Sequence, residues 1–258
     1  MNVLITGASS GIGEATARLF AQKGDRVAII SEQERDLHRV AEAIHAERGE
    51  AIAIVADFSH PEQVEGLIAR VEEATGPLDV LVNNAGIGLG APIVESRPEQ
   101  MRLLFEVNFF ALVSLCQQAL AVMGPRRRGH IINVSSAAGR FGSPGVGIYS
   151  ATKGAVHAFT QALRIEASVY PVFVSEVLPI SVRTRFFNNV QGKTYQPSGV
   201  VLTSDAVARS IVRCTRSARP PAEVLPYPPV RLAFVLDALF PGLMARLATL
   251  KYRRDHRQ

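Results

Sequence analysis

Asn2-Val3-Leu4-Ile5-Thr6-Gly7-Ala8-Ser9-Ser10-Gly11-Ile12-Gly13 is a short apolar run that breaks into a glycine-rich turn. An amphipathic pattern follows to about Lys23, so the segment reads as strand, loop and helix. Each glycine has a physical use here. Gly7 allows the tight turn, Gly11 lets the backbone approach a pyrophosphate, and Gly13 lets the helix pack closely with its first N–H groups facing the phosphate. The spacing is G-x-x-x-G-x-G rather than G-x-G-x-x-G. The flanking strand and helix mark the turn, with Ser9, Ser10 and Ile12 in it, as a dinucleotide cradle.

The alternation continues outward from this unit. Arg26 to Ser31, Ala51 to Ala56, Asp79 to Val82, His130 to Ser135, Val172 to Leu178 and Glu223 to Leu225 read as strands, with helical patterns between them. That order predicts an α/β fold: a Rossmann-type, doubly wound, mostly parallel seven-stranded sheet with helices on both faces. A long helix is expected over Pro98 to Met123, and Ser204 is expected to cap a helix running to about Arg216. No internal boundary or repeat appears, so residues 1–258 read as one domain. Residues 185–203 are polar and irregular, as a substrate lid is. Residues 230–258 form an apolar, then basic, C-terminal extension. Arg231, Asp237 and Arg246 interrupt it and Pro241-Gly242 breaks it, which favours two short helices over a membrane span of about 20 residues. These helices can cover the substrate cleft, make a subunit contact or rest peripherally on a membrane.

Composition bounds the function. The net charge of +5 and the pI near 9.6 suit an anionic cofactor. The basic residues are scattered apart from Arg126-Arg127-Arg128 and the tail, so no nucleic-acid partner is expected. Two cysteines, Cys116 and Cys214, imply no disulfide framework and fit a reducing, cytoplasmic setting. A first strand at Asn2 leaves no room for a signal peptide. The six histidines show no metal-ligand spacing, so no metal is expected.

The strand ends carry the next candidates. After the second strand come Ser31-Glu32-Gln33-Glu34-Arg35. Glu32 would accept ribose hydroxyls and repel a 2′-phosphate, Arg35 pulls the other way, and Ser10 adds no positive charge. The cofactor is thus NAD(H) or NADP(H), with the lean towards NAD(H). Asp57-Phe58 ends the third strand. Asp57 can reach an adenine amino group or equally cap the helix after His60-Pro61. Asn83-Asn84-Ala85-Gly86 suits close approach to a ribose, or buried turn hydrogen bonds. Asn108 stands among Phe105, Val107, Phe109 and Leu112, where a carboxamide needs partners.

Tyr149-Ser150-Ala151-Thr152-Lys153 sets a phenol and an amine on one face of a predicted helix. An ammonium about 4 Å from the phenol, at an effective dielectric of about 20, favours the phenolate by about 4 kcal/mol. That brings a pKa of about 10 down by about three units, towards neutrality. The pair suits proton transfer.

Together these residues resemble the short-chain dehydrogenase/reductase family over about residues 2–186, through Thr6-Gly7-x-x-x-Gly11-x-Gly13, Asp57, Asn83-Asn84-Ala85-Gly86, Asn108, Ser136, Tyr149 and Lys153. The family's interval selects Ser136, thirteen residues before Tyr149, over Ser135. The resemblance implies that Tyr149 is the general acid or base, and that Lys153 lowers its pKa and binds the nicotinamide ribose. Ser136 would hydrogen-bond the substrate oxygen, Asn108 would hold a water in a proton path, and Pro179, Val182 and Thr184 would meet the nicotinamide. It implies hydride transfer between NAD(P)(H) and a small-molecule alcohol or ketone, and a homodimer or homotetramer; the apolar residues 230–250, outside the resemblance, add the expectation of a lipophilic substrate. Two other readings share these residues: a non-catalytic cofactor-binding regulator, and an epimerase or dehydratase. Ile180 departs from the family pattern, which has glycine after the proline.

Overall fold

The computed structural model describes residues 1–184, 186 and 199–255. Residues 185 and 187–198, most of the expected lid, lie outside the described residues. Seven strands form one parallel sheet: β1 (Asn2–Thr6), β2 (Arg26–Ser31), β3 (Glu50–Val55), β4 (Val80–Asn83), β5 (His130–Val134), β6 (Phe173–Val177) and β7 (Glu223–Val224), in the order β3-β2-β1-β4-β5-β6-β7. The chain starts in the middle, winds out to β3, then returns past β1 to β4. The strand order therefore reverses between β1 and β4, the place where such sheets leave a crevice beyond their carboxyl ends.

Ten helices are described: α1 (Gly11–Ala21), α2 (Glu34–Ala46), α3 (Pro61–Val64), α4 (Leu67–Thr75), α5 (Pro98–Phe105), α6 (Ala111–Met123), α7 (Gly147–Ala167), α8 (Ser204–Thr215), α9 (Val230–Leu239) and α10 (Pro241–Asp255). Alternate residues of the central strands feed two cores. Leu4, Ala28, Leu81 and Ile131 pack under α4, α6 and α7. Val3, Ile5, Ile29 and Ile132 pack under α1, α2 and α8. Burial on both faces is why these strands read as continuous apolar runs.

Three sequence readings need adjustment. The expected helix from Pro98 to Met123 is continuous but contains a π turn at Glu106–Phe110, a widening that periodicity alone does not announce. It is long and apolar enough to cross a bilayer, yet its side chains Leu112, Leu115, Cys116 and Ala119 are buried in the core. The cap of α8 is Thr203, not Ser204: its hydroxyl accepts from Ala206 N at 3.2 Å. The extension divides at Pro241 as expected, and α9 and α10 meet at 114°.

At the amino edge of the sheet, Asp25 is buried and takes the Met1 ammonium at 3.0 Å and the Arg216 guanidinium. On β5, His130 is buried, with Nε2 2.9 Å from Ser175 Oγ. That hydroxyl already donates to Pro221 O at 2.7 Å, so Nε2 carries the proton. Burial pushes the imidazole down to about 4. The folded protein therefore binds this proton less readily than the unfolded chain, whose pKa is about 6.5. The stability that follows is complete above about pH 6.5 and is lost as pH falls towards 4, amounting to about 3 kcal/mol. Urea midpoints measured across that window are expected to drop in the parent and to drop markedly less in His130→Gln.

Candidate active site

The crevice at the β1–β4 reversal is held together by one side-chain knot. Thr6 Oγ1 accepts from the N–H groups of Asn84 (3.0 Å) and Ala85 (2.9 Å). Asn84 Nδ2 donates to Thr6 O at 2.9 Å and Gly7 O at 3.1 Å. The glycine turn is thereby clamped to the end of β4. Of the two roles open to the Asn83–Gly86 stretch, Asn83 and Asn84 fill the structural one: Asn83 is buried, donating to Asn133 Oδ1 at 2.9 Å.

The glycines are required by contact as well as by angle. Gly7 and Gly11 have φ of +64° and +59°. A Cβ on Gly13 would stand 2.2 Å from Gly7 O, and one on Gly11 would stand 3.0 Å from Thr184 Cγ2. Ile12 packs on the core and Ser10 begins α1. The space these glycines leave fits a phosphate approached by backbone N–H groups. Beside it a cleft of about 440 Å³ is walled by Ser10, Gly11, Arg39, Arg183 and Thr184.

At the end of β2, Ser31 Oγ reaches Ser9 Oγ at 3.0 Å and Glu32 Oε2 at 3.2 Å, which holds the exposed Glu32 beside the turn. Arg39, not Arg35, reaches the turn. Its Nη2 donates to Ser9 O at 3.1 Å while the fork takes both oxygens of Glu14 at 2.9 and 3.0 Å. Sequence reading missed Arg39 because only the packing of α2 on α1 brings it back to the loop; the acid at Glu14 was the available hint. Asp57 forms a local turn, accepting from Ser59 N (2.8 Å) and Ser59 Oγ (2.7 Å), rather than capping α3. Burial pushes its carboxyl up, but the two hydrogen bonds win and hold it below the usual range. Phe58 is buried against α4.

On the other side of the crevice, Tyr149 and Lys153 lie near the start of α7, both buried. Lys153 Nζ donates to Val134 O at 3.0 Å and stands 5.9 Å from the centre of the Tyr149 ring. Burial pushes the amine down to about 8, against the opposing pull of the Glu176 carboxylate. The two serines after β5 divide their work. Ser135 Oγ donates to Lys153 O at 3.1 Å. Ser136 Oγ accepts from Ala138 N at 3.1 Å, which leaves its hydrogen available to donate. The short turn Ala137–Gly139 lies against α7 so tightly that a Cβ on Gly139 would be 2.6 Å from Lys153 O.

Asn108 sits in the π turn and is a fully engaged amide: Oδ1 accepts from Ile87 N at 2.7 Å, and Nδ2 donates to Ile87 O at 2.9 Å and Thr152 Oγ1 at 3.1 Å. Gly86 separates it from the lysine, since a Cβ there would meet Asn108 Oδ1 at 3.1 Å and Lys153 Nζ at 3.5 Å. The wall beyond Tyr149 is apolar: Leu89, Leu104 and Val146 pack on it, and Phe186 meets its ring edge-on at 5.5 Å. Pro179 O accepts from Ala137 N at 2.8 Å, and Val182 bridges to Leu202. Ile180 turns towards Phe141, Val230 and Phe234, with no left-handed backbone angle, so the departure from glycine is absorbed by α9.

The sequence pattern described as short chain dehydrogenase matches residues 1–194. A 3-ketodihydrosphingosine reductase of Bacteroides thetaiotaomicron is 35% identical over 72% of this chain and 66% of its own. A short chain dehydrogenase/reductase from Burkholderia phymatum in complex with NAD superposes with a TM-score of 0.84 at 27% identity, over 94% of both chains. A short-chain dehydrogenase from Sphingobium yanoikuyae in complex with NADPH does so at 0.81 and 28%, over 95% of both. Gly13→Ala tests the cradle. Its methyl has no room against Gly7 O, so the rise in melting temperature that NADH or NADPH produces in the parent is expected to vanish.

Proposed function

The chain belongs to the short-chain dehydrogenase/reductase family, and from that premise we propose that Tyr149, Lys153, Ser136 and Asn108 form the reacting centre of an enzyme acting on a lipophilic ketone or secondary alcohol. That it is an NAD(P)-dependent oxidoreductase follows from the family and from the relatives above. The observation that carries the finer reading is the buried Tyr149–Lys153 pair, set between the glycine cradle and an apolar wall.

Bound nicotinamide supplies the hydride in reduction and takes it in oxidation. The protein handles the proton. In reduction the Tyr149 hydroxyl gives its hydrogen to the substrate oxygen as negative charge develops there, so no free alkoxide forms; in oxidation it takes that proton back. The nearby Lys153 ammonium favours the phenolate. Ser136, with its hydrogen unused by the fold, donates to the same oxygen. Asn108 fixes the Ile87 backbone and Thr152, which sets the width of the site around Gly86; the family's water-holding role is assigned to the same turn. Gly7, Ser9, Ser10, Gly11, Ile12 and Gly13 would hold the diphosphate. Ser31, Glu32, Asp57 and Phe58 would line the adenosine end, and Asn84, Ala85, Gly86, Pro179, Val182 and Thr184 the nicotinamide end. NAD(H) is favoured because Glu32 is held at the end of β2, where an acid would accept ribose hydroxyls and repel a 2′-phosphate, and because Arg39 is already neutralised by Glu14. A lipophilic substrate is favoured by the Leu89–Leu104–Val146 wall and by the likeness to a reductase named for 3-ketodihydrosphingosine, a long-chain ketone.

One domain, residues 1–258, is assigned both cofactor and substrate. A homodimer or homotetramer built on α6 and α7 is supported by the outward Phe110, Ile165 and Val169. The buried free thiols support a cytoplasmic setting. A peripheral membrane contact is supported by α9 and α10. Helix α9 buries Val230 and Phe234 but turns Leu232, Val235 and Leu239 outward, and α10 exposes Leu243, Leu247 and Leu250 beside Arg246 and Arg253. An apolar stripe edged by cations fits an anionic bilayer surface.

Tyr149→Phe is expected to lower turnover of a ketone panel by at least about 100-fold, with NADH affinity by calorimetry nearly unchanged; undiminished turnover would remove Tyr149 from the chemistry. The same calorimetry is expected to find NADH binding tighter than NADPH. Flotation with vesicles containing phosphatidylglycerol should carry the parent protein and leave Leu239→Asp/Leu247→Asp behind. Equal flotation of the two refutes the contact, and loss of a dimer in that variant would assign the face to a second copy.

A further inference from the structure

Behind the reacting residues lies a second polar cluster that no step above uses. Tyr149, Lys153, His157 and Gln161 succeed one another at four-residue intervals along α7, so the row of side chains continues past the buried lysine through half-buried His157 to exposed Gln161. Glu176, on β6 and wholly buried, puts Oε2 2.6 Å from His157 Nδ1. Its other oxygen is buried without a hydrogen bond. A half-satisfied carboxylate buried within a parallel sheet destabilises the fold relative to an apolar side chain of the same size. Packing gives no reason for it to be there.

The protons of the cluster can be placed. His157 Nε2 is 3.0 Å from Arg140 Nη1, and a guanidinium can only donate. Nε2 is therefore the acceptor, and Nδ1 carries the hydrogen and gives it to Glu176. The imidazole is neutral and the charge sits on the carboxylate. Arg140 also pairs with Glu223 at 2.9 Å, and its guanidinium lies 5.1 Å from the Phe234 ring of α9. His157, Glu176 and Glu223 bring their ligand atoms within 4.8 Å of one another, as a metal site would, but Arg140 supplies the cation there.

The charged and titratable groups facing Glu176 are then Lys153 and His157 from α7, Arg140 from the turn after β5, and Glu223 from β7. Arg164, also on α7, is engaged by Val174 O and Ala222 O at 3.0 and 2.8 Å. Ser135, with its hydroxyl on Lys153 O, lies between the carboxylate and the lysine backbone. Arg140 is matched by Glu223. Glu176 stands in register with Asn133 on β5, next to Val134, whose carbonyl holds the Lys153 amine, and its partner His157 is one helical turn beyond Lys153 on α7.

We propose that Glu176, fixed by the His157 imidazole, is a positioning residue that keeps the Lys153 amine protonated beneath Tyr149 and so sets the pH range of turnover. The inference rests on the reading of Tyr149 and Lys153 as the reacting pair. Burial alone drives the amine towards its neutral form, and a neutral amine no longer favours the phenolate. A negative charge held near the amine opposes that loss. Burial also pushes the Glu176 carboxyl up, and the His157 hydrogen bond works against this, which is what the imidazole contributes.

The direct measurement is the titration of Lys153 Nζ by 15N-lysine NMR in the cofactor-free protein. The midpoint is expected to fall by about one pH unit in Glu176→Gln and to return towards the parent in Glu176→Asp, which restores the charge. The alkaline limb of kcat/KM should move the same way. An unmoved midpoint in folded Glu176→Gln overturns the proposal. If that variant does not fold, His157→Phe reads the same effect: it strips the carboxylate of the imidazole N–H, Glu176 takes up a proton, and the Lys153 midpoint should fall; no movement there overturns it equally. Tyr149→Phe with undiminished turnover would sink the reading of the site, whereas the lysine titration decides this inference independently.

Discussion

A desolvated ammonium with one main-chain hydrogen bond is the constraint around which this molecule is arranged. Lys153 Nζ has Val134 O as its hydrogen-bond partner, and the surroundings are shaped to bring it there. Gly139 lets the turn after β5 lie directly on the α7 backbone, Gly86 leaves room for the amine beside Asn108, and Ser135 holds the lysine carbonyl. The arrangement destabilises the fold. A lysine with a native pKa of about 8 binds its proton less well than in the unfolded chain, where the pKa is about 10.5. Below about pH 8 the penalty is complete, about 3 kcal/mol, and it fades only as pH rises towards 10.5. A side chain that weakens the native state at neutral pH belongs to function rather than to packing.

The second organising feature is the reversal of strand order between β1 and β4. Thr6, at the last position of β1, satisfies two N–H groups of the Asn84–Ala85 turn with one hydroxyl, and Asn84 returns two hydrogen bonds to the glycine turn. Cradle and β4 turn are thus one rigid unit, and α7 approaches it from the β5 side. The cofactor half and the proton-transfer half meet because the topology places β4 between β1 and β5, although the motifs lie more than a hundred residues apart in the chain.

Much of this was legible beforehand. The strands and their parallel arrangement follow from local pattern, as does the placing of Gly7, Gly11, Gly13, Asn84 and Ser136 just beyond strand ends and of Tyr149 and Lys153 on the helix after β5. What was not legible depends on packing between elements distant in sequence. Arg39 reaches Ser9 only through the crossing of α2 and α1. The π turn at Asn108 adds one residue to a helical turn without disturbing apolar periodicity. Asp57 was weighed between a ligand and a helix cap, and its oxygen went to Ser59, two residues on, as short-range geometry favours. Ile180 stands where the family pattern has glycine. Its side chain has a destination on α9, a helix outside the part of the chain that carries the resemblance. Glu176 drew no notice within an apolar strand, since its partners come from α7, β7 and the turn after β5.

The two thiols described as buried have a practical corollary. Cys116 is held between Asn83 and Asn133, and burial pushes it up to about 12; Cys214 is likewise raised above the ordinary thiol range by burial. Neither presents a thiolate to solvent near neutral pH. The folded protein should therefore be indifferent to maleimides and mild peroxide. A cysteine introduced on the surface would be the one position to take a fluorophore, which makes the native sequence a clean background for spectroscopic labelling.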